Sequence, residues 1–185
     1  ADMYGNGIYT TVTNNSDLAG AVYSNNTISG NLFGDGVRYE QTGGSVDLVA
    51  VLDTTAVENA GYGINVDLNG VAGNTVTAPS VAIDGSDIRD NTGRGLQGSG
   101  IFVNAVDTAL DTVQVTNSTF VRGNFGDGIR VFGDNSPITT LNISDNANIS
   151  SNSLNDINVG LINGSDVTDL IIDNNVVNSV TPPPL

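Results

Sequence analysis

Apolar and polar residues alternate along this chain in short runs, as in Val113-Gln114-Val115, Leu141-Asn142-Ile143 and Ile129-Arg130-Val131. A period of two places one row of side chains on the buried face of a strand, and no window carries the i, i+3, i+4, i+7 stripe of an amphipathic helix. The runs are interrupted by Gly, Asn and Asp, residues that tolerate left-handed backbone or bond their own backbone and so make tight corners. The pattern predicts an all-β chain of many short strands with essentially no helix.

The strands recur at a fixed interval. Gly7-Ile8, Gly36-Val37, Gly63-Ile64, Gly100-Ile101, Gly128-Ile129 and Asp156-Ile157 follow one another at 29, 27, 37, 28 and 28 residues. Gly30-Asn31-Leu32-Phe33-Gly34-Asp35-Gly36-Val37-Arg38 nearly repeats as Gly123-Asn124-Phe125-Gly126-Asp127-Gly128-Ile129-Arg130. An Asn precedes most of these glycines, at Asn31, Asn59, Asn91, Asn124 and Asn152, with an insertion around Gly95-Leu96-Gln97 in the fourth copy. Upstream lie paired apolar segments: Val81-Ala82-Ile83 then Ile88, Val113-Gln114-Val115 then Phe120, Leu141-Asn142-Ile143 then Ile149, and Leu170-Ile171-Ile172 then Val176. One such unit has no facing partner and buries nothing alone. Stacking six of them as solenoid coils pairs equivalent strands in parallel and lets buried Asn side chains bond the rung above and below. A coil of about 28 residues suits a cross-section of three sheets, and six coils at ~4.8 Å make a rod on the order of 29 Å long.

The pattern Asn-x-x-x-Gly-Ile-x-Val, with an apolar x-Val-x-Ile-x-Asn upstream, resembles the right-handed parallel β-helix repeat of the pectate-lyase-like superfamily, over essentially residues 4 to 180. The resemblance implies a single right-handed β-helix of about six coils with three short parallel sheets. It leaves activity open, because that superfamily includes polysaccharide lyases and hydrolases, tailspikes, autotransporter passengers and surface adhesins, and fold does not license function. Residues 1–180 are read as the β-helix and 181–185, Thr181-Pro182-Pro183-Pro184-Leu185, as a Pro-rich tail.

Composition narrows the chemistry. The 185 residues include no His, Cys, Trp or Lys, which removes histidine-dependent triads, cysteine nucleophiles, thiolate or imidazole zinc sites and disulfides. Five Lys+Arg against 20 Asp+Glu give a net charge of −15, a balance that repels nucleic acid and anionic lipid. The longest apolar run, Leu48 to Leu52, is far short of a membrane span. The chain therefore reads as soluble and without membrane insertion, and the absence of Cys and Lys fits an extracellular or cell-surface location. Two Glu and no Lys against 25 Asn, 18 Asp and 23 Gly again disfavour helix.

The resembling enzymes place their cleft on the strand that follows each Gly corner. In register, Ile8, Val37, Ile64, Ile101, Ile129 and Ile157 point inward, as do Val66, Val103, Val131 and Val159. The outward columns are Tyr9, Arg38, Asn65, Phe102, Arg130, Asn158 and Thr11, Glu40, Asp67, Asn104, Phe132, Gly160. Tyr9, Arg38, Glu40, Asp67, Phe102, Arg130 and Phe132 form a candidate glycan face. Glu40 and Asp67 stand one coil apart, near the roughly 5 Å of a retaining carboxylate pair. The competing reading is a solvated sheet face, and the absence of Lys and His, of a cluster of acids or Arg within a few residues, and of a long cleft-walling loop speaks against catalysis. No catalytic residue is assigned, and the chain is expected not to be an enzyme.

Other motifs add little. Gly-Asp-Gly at 34–36 and 126–128 would suit a hard cation such as Ca2+, but neither the calcium nonapeptide nor an EF-hand loop is present; the tripeptides read as corners, and no cofactor or metal ligand set is assigned. Six Asn-x-Ser/Thr sequons, at Asn14, Asn25, Asn117, Asn142, Asn148 and Asn163, are close to what this composition gives by chance. The Gly-x-Gly-x-x-Gly run at 93–98 lacks the strand and helix of a dinucleotide site. With no capping helix evident at either end, the chain is expected to be a structural element of an extracellular fibre, adhesin or filament that associates end to end with its own copies or with adjoining β-helix segments. The alternative is a carbohydrate-binding module.

Overall fold

The computed structural model describes residues 5–13, 16–70, 80–92 and 98–178. The glycine run at 93–97, the Asn14 sequon and the Pro-rich tail lie outside them. The described residues contain strands, turns and bends and no helix, and they form a parallel β-solenoid of about six coils. Three six-stranded parallel sheets run its length, with a two-stranded fourth, Asp17–Leu18 beside Ser45–Val46. The first sheet stacks Ile8–Thr13, Val37–Thr42, Ile64–Asn69, Ile101–Val106, Ile129–Asp134 and Ile157–Ile162. The second stacks Ala21–Ser24, Leu48–Leu52, Ser80–Asp84, Leu110–Thr116, Ile138–Ser144 and Val167–Asp173, and the third Thr27–Ser29, Thr55–Val57, Asp87–Arg89, Phe120–Arg122, Ile149–Ser150 and Val177–Asn178. The strands are short, as the alternation requires, while the sheets extend over all six coils.

Register is set by which face is buried, since a one-residue slip would turn every apolar side chain outward. Ile8, Val37, Ile64, Ile101, Ile129 and Ile157 are successive partners along the first sheet, and the four central members are fully buried. In the third sheet the inward column is Ile28, Ala56, Ile88, Val121, Ile149, Val177. Two residues of the sequence reading are therefore one position out: Phe120 lies on the outer face beneath Arg122, and Val177, not Val176, is the partner of Ile149 in the column. Tyr39 and Gln41 also point inward, fully buried, and the Tyr39 hydroxyl donates to Gln41 Oε1 at 3.0 Å.

The corners carry the polar interior. Between the third and first sheets the carboxamides of Asn31, Asn59, Asn91, Asn124 and Asn152 form a continuous ladder, each Nδ2 donating to the next Oδ1 at 2.7, 2.9, 3.0 and 3.0 Å. The backbone N–H of each of the first four rungs donates to the same oxygen. Asn suits this role because one short side chain offers both donor and acceptor. The ladder needs the adjoining glycines: a Cβ on Gly63 would stand 2.7 Å from the Gly100 carbonyl oxygen and 2.8 Å from Asn91 Nδ2.

Smaller ladders serve the other corners. Thr54 N–H donates to Ser86 Oγ, Ser118 N–H to Asn146 Oδ1, and both N–H and Nδ2 of Asn146 to Asn175 Oδ1. At the corner between the first and second sheets, Thr108 N–H donates to Ser136 Oγ and Ser136 N–H to Ser165 Oγ. Most of these rungs follow a residue with positive φ, such as Asp53, Gly85, Asn117, Asp145, Asp107 or Asn135, which reverses the chain in one step.

Asn91→Leu strands both buried donors of Asn59 and leaves the Asn124 oxygen with only the backbone N–H of residue 91, a loss of about 3–5 kcal/mol on the scale of buried unsatisfied groups. Gly63→Ala overpacks the same corner and costs about 1–3 kcal/mol. Chemical denaturation of both variants measures these losses; values within about 0.5 kcal/mol of zero would contradict the ladder's energetic role.

Candidate binding face on the first sheet

The outward columns of the first sheet have the register read from the repeat: Tyr9, Arg38, Asn65, Phe102, Arg130, Asn158, and Thr11, Glu40, Asp67, Asn104, Phe132, Gly160. The seven candidate residues fall into two groups along the axis.

The first group is ionic. Tyr9 Oη donates to Glu40 Oε2 at 2.9 Å, and the Arg38 guanidinium reaches Glu40 at 3.4 Å, Asp35 at 3.5 Å and Asp67 at 4.0 Å. Asp67 Oδ1 accepts Nδ2 of Asn69 at 2.9 Å and of Asn104 at 2.7 Å. Glu40 and Asp67, the possible acid pair, thus share one guanidinium and already accept from neighbouring coils. The second group is aromatic. Phe102 stacks on Tyr62, ring centroids 5.1 Å apart and 26° between planes. Arg130 stands 5.3 Å from the Phe102 centroid and 5.9 Å from that of Phe132, distances at which a ring quadrupole attracts a cation. Among the described residues Arg130 forms no ion pair, whereas Arg38 and Arg89 do.

Tyr62 and Asp35 belong to this face; Tyr62 was not singled out from the sequence, and Asp35 entered only as the centre of a Gly-Asp-Gly corner. Tyr62 precedes the corner glycine, outside the alternating strand, so periodicity does not place it. Asp35 and Asp127, the middle residues of the Gly-Asp-Gly tripeptides, are buried and bind the following coil. Asp35 Oδ1 accepts Tyr62 N–H at 2.8 Å and its Oδ2 accepts Asn65 Nδ2 at 3.0 Å. Asp127 Oδ1 accepts Asn155 N–H at 3.0 Å and Oδ2 accepts Asn158 Nδ2 at 3.0 Å. These carboxylates join coils and do not converge: among the described residues no group of three or more Asp or Glu is arranged to hold a metal ion.

Burial pushes the Tyr62 phenol above its ordinary value, helped by the Asp35 charge and opposed by Arg130 and Arg38. Burial raises Tyr23 and Tyr39 as well. The raised folded values favour the neutral phenols, so their contribution to stability is whole below the ordinary tyrosine value near 10.0 and is lost as pH climbs from there through the folded values. Denaturation midpoints measured from pH 8 upward should fall above about pH 10, and less steeply in Tyr39→Phe; an equal slope in that variant would contradict the assignment. In comparisons with protein-family models, curated proteins and solved structures, no match to this chain is found.

Proposed function

We propose that the protein is a non-catalytic structural rod, a unit of an extracellular surface fibre or adhesin of the pectate-lyase-like β-helix type, held to its neighbours by lengthwise contact with adjoining segments or further copies. The observation that carries this reading is the direction of the side-chain chemistry. Asp35, Glu40, Asp67 and Asp127 each accept hydrogen bonds from another coil, so the carboxylates that an acid–base reaction would need are engaged in holding the stack together. The net charge of −15 keeps the sides of such rods apart in solution. Electron microscopy across a concentration series is expected to show stiff rods with an axial unit of about 29 Å, and incubation with acidic and neutral polysaccharides is expected to release no new chain ends. Depolymerisation that is lost in Glu40→Gln or Asp67→Asn would overturn the reading.

A second reading, glycan recognition by the first-sheet face, draws on one specific arrangement. Arg130 is free of ion pairs among the described residues and lies over Phe102 and Phe132, which leaves it able to meet a sugar carboxylate beside rings on which a pyranose stacks. On a glycan array, binding that disappears in Arg130→Ala and Phe102→Ala but survives Arg122→Ala would establish it; no binding by the parent chain would remove it.

A further inference from the structure

Two of the chain's five arginines stand side by side on the outer face of the third sheet, away from the first-sheet face. Arg89 and Arg122 are partners in the parallel pair of Asp87–Arg89 with Phe120–Arg122, so their Cα atoms lie about 4.8 Å apart. Like charges directly opposite one another on neighbouring strands weaken the pairing, and a chain with 20 Asp+Glu has carboxylates to spare for neutralising them. It places one here: Asp87 Oδ1 accepts from Arg89 Nε at 2.6 Å. Arg122 is exposed and belongs to none of the ion pairs among the described residues. The outward column through the two arginines, Ser29, Val57, Arg89, Arg122, Ser150 and Asn178, holds no carboxylate. Asp90 stands against the backbone of Gly123 and pairs with neither guanidinium.

One ring gathers both cations. The Phe120 centroid lies 4.7 Å from Arg122 Cζ and 5.6 Å from Arg89 Cζ, within the range at which a ring quadrupole attracts a guanidinium. Phe120 is half-buried and is the cross-strand partner of Asp87, so the four side chains form a two-by-two block. Contact with the ring and with Asp87 restricts two long side chains before any ligand arrives, which lowers the ordering cost of binding. Because Asp87 occupies only Nε of Arg89, both Nη groups of Arg89 and the whole Arg122 fork lack an acceptor among the described residues.

We propose that Arg89 and Arg122 form a binding site for one tetrahedral oxyanion, a sulfate or phosphate monoester, with Phe120 as the residue that positions the two guanidiniums. The class follows from the donors. A carboxylate has two oxygens and is satisfied by a single guanidinium fork, whereas donors arriving from two adjacent coils call for an anion with acceptor oxygens on more than one side, and a sulfate or phosphate ester offers three. Guanidinium is weakly hydrated, which favours such a pairing even at a surface. A single ester group is the unit recognised, since the net charge of −15 opposes a polyanion. The site lies outside the first-sheet face and depends on neither functional reading above.

NMR of the arginine Nε–Hε groups tests it, by titrating the chain at constant ionic strength with inorganic sulfate, inorganic phosphate, a sugar sulfate monoester, a sugar phosphate monoester and, as the carboxylate control, acetate. Saturable shifts are expected at Arg89 and Arg122 with the tetrahedral anions, while Arg38 and Arg130 stay in place. Arg122→Gln and Phe120→Leu change exposed or half-buried side chains outside the core, so their spectra should otherwise match the parent. Arg122→Gln is expected to weaken binding about tenfold, the loss of one charge-assisted partner, and Phe120→Leu to weaken it less; Arg130→Gln should bind as the parent does. Tighter binding of the sulfate or of the phosphate ester identifies the source, and equal binding of the inorganic ions shows that the ion alone is read; each upholds the oxyanion site. No saturable shift with any tetrahedral anion, an equal response to acetate, equal shifts at Arg130, or unchanged affinity in Arg122→Gln would overturn it. Polysaccharide cleavage by the parent chain would overturn the structural-rod reading and leave this site standing.

Discussion

The constraint on which the structure depends is the need to turn a chain through a dry corner. A coil of three short strands must reverse direction inside a stack that covers it above and below, and a buried N–H without a partner costs about 1–3 kcal/mol. The solution recurs at the described corners: a residue in the left-handed region makes the turn, and at most of them a small polar side chain directly after it accepts a hydrogen bond from the neighbouring coil. The Asn31 to Asn152 ladder is the fullest version, because from Asn59 onward each carboxamide serves as donor and acceptor at once. The strands supply apolar burial, which sets the register, and the corner ladders tie successive coils together in it.

The same constraint explains the unusual composition. Asn, Asp, Ser and Thr are abundant because every coil needs short polar side chains at fixed places, and glycine is abundant because the asparagine ladder leaves no space for a Cβ beside it. Acidic residues gain structural work in the process. Asp35 and Asp127 are buried yet accept from both backbone and carboxamide donors of the next coil, which compensates the desolvation of a carboxylate.

Much of this was legible where a column keeps one residue type. The glycine and asparagine columns, the three-sheet cross-section and the outward register of the first sheet follow from the repeat because those rungs are nearly invariant from coil to coil. The second ladder was not legible, because Thr54, Ser86, Ser118, Asn146 and Asn175 share an ability to accept a hydrogen bond and no common side chain. The third-sheet strands are only two or three residues long, too short for alternation to distinguish Phe120 from Val121 or Val176 from Val177. Tyr62 escaped notice because it sits at a corner, where period-two logic does not apply. Asp156 was visible as the one departure from the glycine column, but its hydrogen bond to Asn152 Nδ2 of the ladder was not.

Site-resolved amide hydrogen exchange tests the central claim most directly, that the corner ladders hold the stack. The account predicts that the N–H groups of Asn59, Asn91 and Asn124 exchange only through global unfolding, as slowly as those of the buried strand residues Val66 and Val103. Fast exchange at these corners while the strands remain protected would show that the ladders open freely, and would contradict the account.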